Sequence, residues 1–290
     1  MMSDYKDVFE KGSKEPRRHH YIPQFYLKNF ENHNGKLFVL DMGKRRQWTS
    51  TPRDVACERD FYRVEMEGVD PNVIEKILSI IESEAAKVIS GIIHKKQFPE
   101  GKDYDVLLYF IILLFMRTKR YLDSLSGFIN DFMRGVQKMR FGSKGVEGTT
   151  ISSEQYVKAD WFDIFMEMSP KWRETLGKRQ WTVHCLGKES KGNLVTSDNP
   201  VGLFWIDEDT DQAPGFAHDN TMVTLPLSPS YLLLGTIGKP FDPYDNTLSY
   251  AYFNWMTISN SRLIISQTED FPILNQKGEI VSGKNYILNI

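Results

Sequence analysis

One stretch limits the architecture more than any other. From Val106 to Met116, 11 consecutive residues are apolar or aromatic, and Arg117 follows at once. A helix that is apolar on every side has to be buried. This one falls well short of the roughly 18 to 20 residues that cross a bilayer, so the rest of the chain must cover it. The chain is long enough to do so. At 290 residues, a fold hides roughly 75% of the surface its unfolded form exposes, enough for one large core or two modest ones.

The neighbours of that stretch read as its covering helices. Ile74, Ile77, Leu78, Ile81, Ala85, Val88, Ile89 and Ile92 recur at i, i+3, i+4 and i+7, with Asp70 expected as N-cap and Pro71 at the first helical position. Past Arg117 the buried helix is expected to run on as an amphipathic one through Leu122, Leu125, Phe128, Ile129, Phe132, Met133 and Val136, bending at Gly127. Phe141 to Ser153, with three glycines, reads as a loop. A third helix near Glu154 to Met168 is expected to stop before Pro170.

The flanks are β-prone. Before the helices come a short apolar-faced helix in Tyr21 to Phe30, a strand pair at Lys36–Leu40 and Gln47–Ser50, and a short strand at Phe61–Val64. After Trp172, strands are expected at Trp181–Cys185, Leu194–Thr196, Met222–Leu225, Tyr231–Ile237, Arg262–Ser266 and Tyr286–Ile290, with a helix at Leu248–Ser259. The acidic, turn-rich Ile206–Asn220 is expected to be an exposed loop. Strands, then helices, then strands predict an α+β fold. Residues 1–18 form a charged, flexible lead-in, and 19–290 form a single domain with a helical middle at 71–169 and a β-rich part at 178–290.

Charge and cysteine content exclude several function classes. With 38 acidic and 36 basic residues the net charge is −2, which argues against a wholly basic nucleic-acid-binding surface but leaves room for a local cationic site. Cys57 and Cys185 cannot build a disulfide framework and lack metal-site spacing; both are expected to be small buried residues. Met1 to Arg18 lacks the apolar run of a secretory leader, so a soluble, cytoplasmic protein is expected, without membrane association. Phosphate-cradling glycine loops, a GxSxG elbow and zinc-ligand patterns are absent from the sequence.

Six positions carry the candidate chemistry. His19 and His20 have the pKa range of a general acid or base, yet adjacent histidines cannot share a metal as an i, i+4 pair does. Without further context they read first as tethers of the chain's entry into its first helix. Arg117 lies on the inward stripe with Val106, Phe110 and Leu113. A buried guanidinium needs a carboxylate or an anionic ligand, so it is either half of a structural ion pair or the anchor of an anion. Glu82, near the apolar seam of its helix, is close enough to reach an interior partner, and with Glu75 makes a carboxylate pair along one helix edge. Ser197-Asp198-Asn199-Pro200 ends a strand with a carboxylate and an amide at one turn.

His19-His20-Tyr21-Ile22-Pro23-Gln24-Phe25-Tyr26-Leu27-Lys28-Asn29-Phe30 resembles the opening signature of the bacterial domain-of-unknown-function family 4238, which reads HHYVPQFYLRNF or close to it. The Phe61-Tyr62 pair before the Ile74–Glu82 helix, Arg117-Thr118, Ser197-Asp198-Asn199-Pro200 and Leu225-Pro226-Leu227-Ser228-Pro229 are similar to later elements of that family, in the same order. The resemblance runs from about His19 to Ser266. It implies no biochemical activity, but it singles out His19, His20, Glu82, Arg117, Asp198 and Asn199 as recurrent polar positions.

Together these residues predict a composite polar pocket between the helical middle and the β-rich part. In it His20 or His19 and Asp198 are catalytic, while Arg117, Asn199 and Glu82 bind substrate; no metal ligands are assigned. The expected reaction is hydrolysis of a phosphate-containing or nucleic-acid substrate, with a divalent metal left open as cofactor. The alternative is a non-enzymatic sensor, toxin-like or accessory component of a phage-defence or mobile-element locus, its polar residues structural. A third reading is a module for a partner protein, using Trp205 beside the acidic loop.

Overall fold

The computed structural model describes residues 17–63, 70–96, 98–141, 154–186, 193–206, 213–238, 243 and 246–289. The lead-in through residue 16 and the glycine-rich loop at 142–153 lie outside them. Arg17 and Arg18, placed in a flexible lead-in by the sequence, are instead paired at 2.9 Å with Asp60 and Asp54.

The fold is α+β. β1 (Arg18–His20) leads into α1 (Gln24–Lys28), the hairpin β2 (Leu37–Asp41) and β3 (Arg46–Ser50), and β4 (Cys57–Arg59), which returns to pair antiparallel with β1. The strand expected at Phe61–Val64 is not found over the described residues 61–63, and Val64 lies outside them. The strand sits earlier, because Asp60 takes a left-handed conformation (φ 56°) that ends β4. Phe61 and Tyr62 then turn into the core.

Four helices follow: α2 (Val73–Lys95), α3 (Gly101–Met116), α4 (Lys119–Phe141) and α5 (Glu154–Gly177). Asp70 does not cap α2. Its carboxylate accepts from the Asn72 N–H (2.8 Å) and pairs with Lys76 (2.8 Å), so the helix starts only at Val73. The expected continuous helix with a bend at Gly127 is two helices broken at Arg117–Thr118. Arg117 closes α3, and the Thr118 hydroxyl accepts from the Tyr121 N–H at 3.2 Å, a capping bond that starts a new helix. In the other direction, α5 runs on through Pro170. Trp161 and Phe165 before the proline and Leu176 after it are buried, and that burial outweighs the roughly 3 kcal/mol a mid-helix proline costs.

The remaining elements are β5 (Gln180–Cys185), β6 (Thr196–Ser197), β7 (Gly202–Trp205), β8 (Thr221–Ser228), β9 (Tyr231–Thr236), α6 (Thr247–Ser259), β10 (Leu263–Ser266), β11 (Pro272–Leu274), β12 (Ile280–Ser282) and α7 (Gly283–Asn289). They complete two four-stranded antiparallel sheets, ordered β3-β2-β10-β6 and β5-β9-β8-β7. The last expected strand is a helix: the Ser282 hydroxyl accepts from the Asn285 N–H at 3.1 Å, and Ile287 packs with Phe271 and Ile273. Ile206–Asn220 is not simply an exposed loop either. Residues 207–212 lie outside the described residues, but Phe216 is buried against Phe115 and Trp172, with ring centroids at 4.9 and 5.4 Å.

One apolar core draws on α1, α2, α3, α5 and strands of both larger sheets. The helical middle and the β-rich part therefore share an interior, with α3 at its centre; Leu107, Leu108 and Phe110 through Leu114 have no exposed surface. That position decides where Arg117, one residue beyond α3, must go.

Candidate functional site

Burying the end of α3 leaves its last carbonyls without water, and each needs a donor. Trp161 donates to the Met116 carbonyl at 2.8 Å, and the Tyr62 hydroxyl donates to the Arg117 carbonyl at 2.9 Å. The Arg117 side chain, fully buried, donates from Nη1 to Glu82 Oε1 at 2.5 Å and from Nη2 to the His20 carbonyl. Its guanidinium also lies over the Tyr62 ring, 5.6 Å from the centroid. Burial works against this charge, but Glu82, Tyr62 and Glu75 outweigh it and hold the guanidinium's pKa above the ordinary arginine value. Arg117 is thus the ion-pair half that one sequence reading expects, and not an open anchor for an anion.

The histidines belong to the same interior. His19 is fully buried, and its Nδ1 accepts from the Tyr62 N–H at 2.9 Å. His20 Nδ1 accepts from the Gln24 side chain at 3.3 Å while Nε2 donates to the Arg53 carbonyl at 3.1 Å, which fixes its tautomer. Burial holds its pKa below the ordinary imidazole value, partly opposed by the Arg53 carbonyl. Both rings tether the opening motif to the β4 region and the turns around it. This arrangement joins His19, His20, Glu82 and Arg117 through Tyr62, and what it does is lock Tyr21–Phe30 onto the end of α3.

Asp198 and Asn199 are elsewhere. Their turn, the start of α4 and the α6–β10 connection enclose a two-lobed cleft. A lobe of about 410 Å³ is lined by Lys119, Arg120, Asp123, Asp198, Asn199 and Arg262, among others. A second, of about 220 Å³, shares Arg120, Ser124, Asn199 and Asn260 and reaches Phe115 and Val201. Arg120 donates from Nη1 to the Asn260 carbonyl (2.8 Å) and side-chain oxygen (3.0 Å), and Asn199 donates to the same carbonyl at 3.1 Å. Asn260 is the hinge pin that holds the two walls in register. Lys119 pairs with Glu58 at 2.6 Å.

Asp198 accepts from the Arg262 N–H at 3.0 Å. It is the carboxylate of the cleft whose pKa lies above its ordinary value: burial pushes it up, against the backbone N–H groups of Arg262 and Leu263 that favour the charged form. Among the described residues, no hydrogen bond or ion pair joins Asp198 or Asn199 to Arg117 or either histidine. Asp198 and Asn199 line the cleft, while His20, Glu82 and Arg117, with His19 and Tyr62, bond among themselves in the interior. The Tyr21 phenol, next to His20 in sequence, is pushed up by burial and by the charge of Asp198.

A family model described as a protein of unknown function (DUF4238) matches residues 18–270, from the first strand to the turn before β11. The chain belongs to the DUF4238 family. No curated protein and no solved structure matches it. The matched span holds both the sealed network and the cleft, so membership alone does not favour one over the other as a site.

The sequence reading assigned no site role to Lys119, Arg120, Asn260 or Arg262, all of which line the cleft. The one legible signal was Ser259-Asn260-Ser261-Arg262, a polar run between helix and strand like Ser197-Asp198-Asn199-Pro200. It also missed Arg179, which is buried and donates to the carbonyls of Phe216 (2.8 Å), His218 (3.1 Å) and Thr221, holding the 216–221 segment in place. The cysteines, expected to be buried, are half-buried, and Cys57 accepts from Arg18 at 3.2 Å. Trp205 is half-buried against His218, with ring centroids 5.1 Å apart. Among the described residues no three His, Cys, Asp or Glu side chains cluster as a metal site requires, and no helix is long and apolar enough to cross a membrane.

Proposed function

We propose that the protein binds phosphate esters in the Arg120–Asp198 cleft and hydrolyses them. The observation that carries this reading is a part-buried carboxylate of raised pKa, Asp198, in a lobe it shares with Lys119, Arg120 and Arg262. Guanidinium groups match phosphate oxygens in geometry and charge. A carboxylate whose pKa is lifted toward neutrality is a better general base than an ordinary one. In the proposed step a water oxygen forms the new P–O bond and its proton passes to the Asp198 carboxylate. The ester P–O bond breaks, and the leaving oxygen takes its electron pair and a proton from solvent. Arg120 and Arg262 hold the phosphoryl oxygens, and Asn199 orients the ester. His20 and Arg117 take no part in this step.

The test is hydrolysis of bis(p-nitrophenyl) phosphate and of short DNA and RNA, with and without added magnesium or manganese. Wild type should turn over at least one of them, and Asp198→Asn should lose roughly 10² to 10⁴ in rate, the range general-base catalysis supplies. The acid limb of the wild-type pH profile should sit above the ordinary carboxylate range. An unchanged rate in Asp198→Asn removes the assigned base. Phosphate-ester binding that depends on Arg120 without any turnover moves the protein to the sensor reading.

A further inference from the structure

Two helices leave the cleft, and each carries an unusual exposed stripe. On α6, Leu248, Tyr252, Trp255 and Ser259 recur at i, i+4, i+7 and i+11 and share one face. The face opposite is buried through Tyr250, Phe253, Asn254 and Thr257. Ser259 lines the cleft. The outward stripe should be polar, yet Leu248 is 52% and Trp255 43% exposed, and Tyr252 stacks on Trp255 at 6.3 Å and 26°. On α4 the pattern repeats from the other wall. Arg120 and Ser124 line the cleft, and Phe128 and Phe132 continue the i, i+4 spacing at 69% and 62% exposure. Helical side chains lean toward the N-terminus, so Phe128 leans toward Ser124 and the cleft.

Exposed rings on both sides of a cationic centre do not stabilise the monomer, and they suit one chemistry. We infer that the cleft and its two aromatic flanks form a groove for single-stranded nucleic acid. A backbone phosphate sits against Arg120 and Arg262, and neighbouring bases stack on Trp255 and Phe128. The inference rests on the phosphate-ester reading of the cleft and names its substrate class. Charge complementarity chooses the occupant. Arg120 uses only Nη1 on protein acceptors among the described residues, so Nε and Nη2 remain for an anion. Trp255 lies one helical turn, about 6 Å, from Ser259 and leans away from it onto Tyr252, so it offers its ring to a base beyond the one whose phosphate occupies the cleft. Arginines on the backbone with aromatic side chains under the flanking bases are how proteins hold single strands without reading their sequence.

The test measures anisotropy of a fluorescein-labelled oligothymidylate and of an abasic strand of the same length and charge. Wild type should bind oligothymidylate about tenfold or more tighter than the abasic strand, as base stacking predicts. Trp255→Ala and Phe128→Ala should each erase most of that difference and leave abasic binding unchanged, while Trp255→Phe keeps most of it. Both positions are exposed, and circular dichroism checks that the variants fold. Arg120→Ala should weaken both strands alike. Equal binding of the two strands by wild type overturns the inference and leaves the phosphate reading standing; no binding of either, with no phosphodiester turnover, overturns both. A concentration-dependent dimer in sedimentation that Phe128→Ala dissolves would assign the stripe to a second copy of the chain and overturn the nucleic-acid groove.

Discussion

Two polar regions meet at the Arg117–Thr118 junction, and their arginines, three residues apart, sit in different media. Arg117 has no exposed surface and meets a carboxylate, a carbonyl and an aromatic face. Arg120 is exposed, and among the described residues its side chain hydrogen-bonds only to Asn260. In the interior a charge survives only when its partners are fixed, and here Arg117 is held by Glu82, itself part-exposed, and by the His20 carbonyl. At the surface, water can stand in for any partner, so the cleft can give up its solvent to a ligand. The same residue type therefore holds the fold together in one region and remains open to binding in the other. The Thr118 cap, which starts a new helix, lies between the two in sequence.

The largest effect should come from the sealed side. Arg117→Met leaves Glu82 and the His20 carbonyl without their donor, and urea unfolding should show a loss of about 3 to 5 kcal/mol. A loss under about 1 kcal/mol would mean that water reaches the network, and the contrast with Arg120 would collapse. Tyr62→Phe removes the donor to the Arg117 carbonyl and should cost about 1 to 3 kcal/mol by leaving a buried acceptor unsatisfied.

Titration sharpens the comparison, because the two regions should respond to pH with opposite signs. The folded pKa of His20 is depressed by burial. Its contribution is present above the unfolded value near 6.5 and is lost as pH falls through the folded value. Wild type should therefore lose stability on mild acidification more steeply than His20→Gln. Asp198 has a raised folded pKa, so its contribution is present below the ordinary carboxylate value near 3.9 and is lost as pH rises through the folded value. Asp198→Asn should gain on wild type as pH rises, in denaturation curves collected at each pH. The smallest effect on stability belongs to Arg120→Ala, within about 0.5 kcal/mol of wild type, although it should abolish retention on immobilised oligonucleotide. If that variant unfolds as readily as Arg117→Met, Arg120 is structural and the cleft loses its anchor.

Much of the fold was legible because it follows from periodicity alone. The stripe from Ile74 to Ile92 and the all-round apolar run at Val106–Met116 placed α2 and α3, and the inward pointing of Arg117 followed from its position on that run. Local signals failed where tertiary contacts overrode them. Pro170 does not end α5, because Trp161, Phe165 and Leu176 bury both sides of it. Tyr286–Asn289 is helical, because Ser282 caps it and Ile287 fits against Phe271.

The sequence by itself determined that a buried helix ends in a charge, and that this charge must find a partner. It could not choose the partner, since Glu82, Asp198 and a bound anion all satisfy the same electrostatic demand. Only the tertiary structure decided it. Packing α2 against α3 brings Glu82 to Arg117, the end of β1 brings the His20 carbonyl, and the chain beyond Thr118 places Lys119 and Arg120 beside Asp198 and Asn199. The reason is physical. A one-dimensional pattern fixes which face of an element is apolar, while the direction in which the chain leaves that element depends on caps and contacts made with residues far away in sequence.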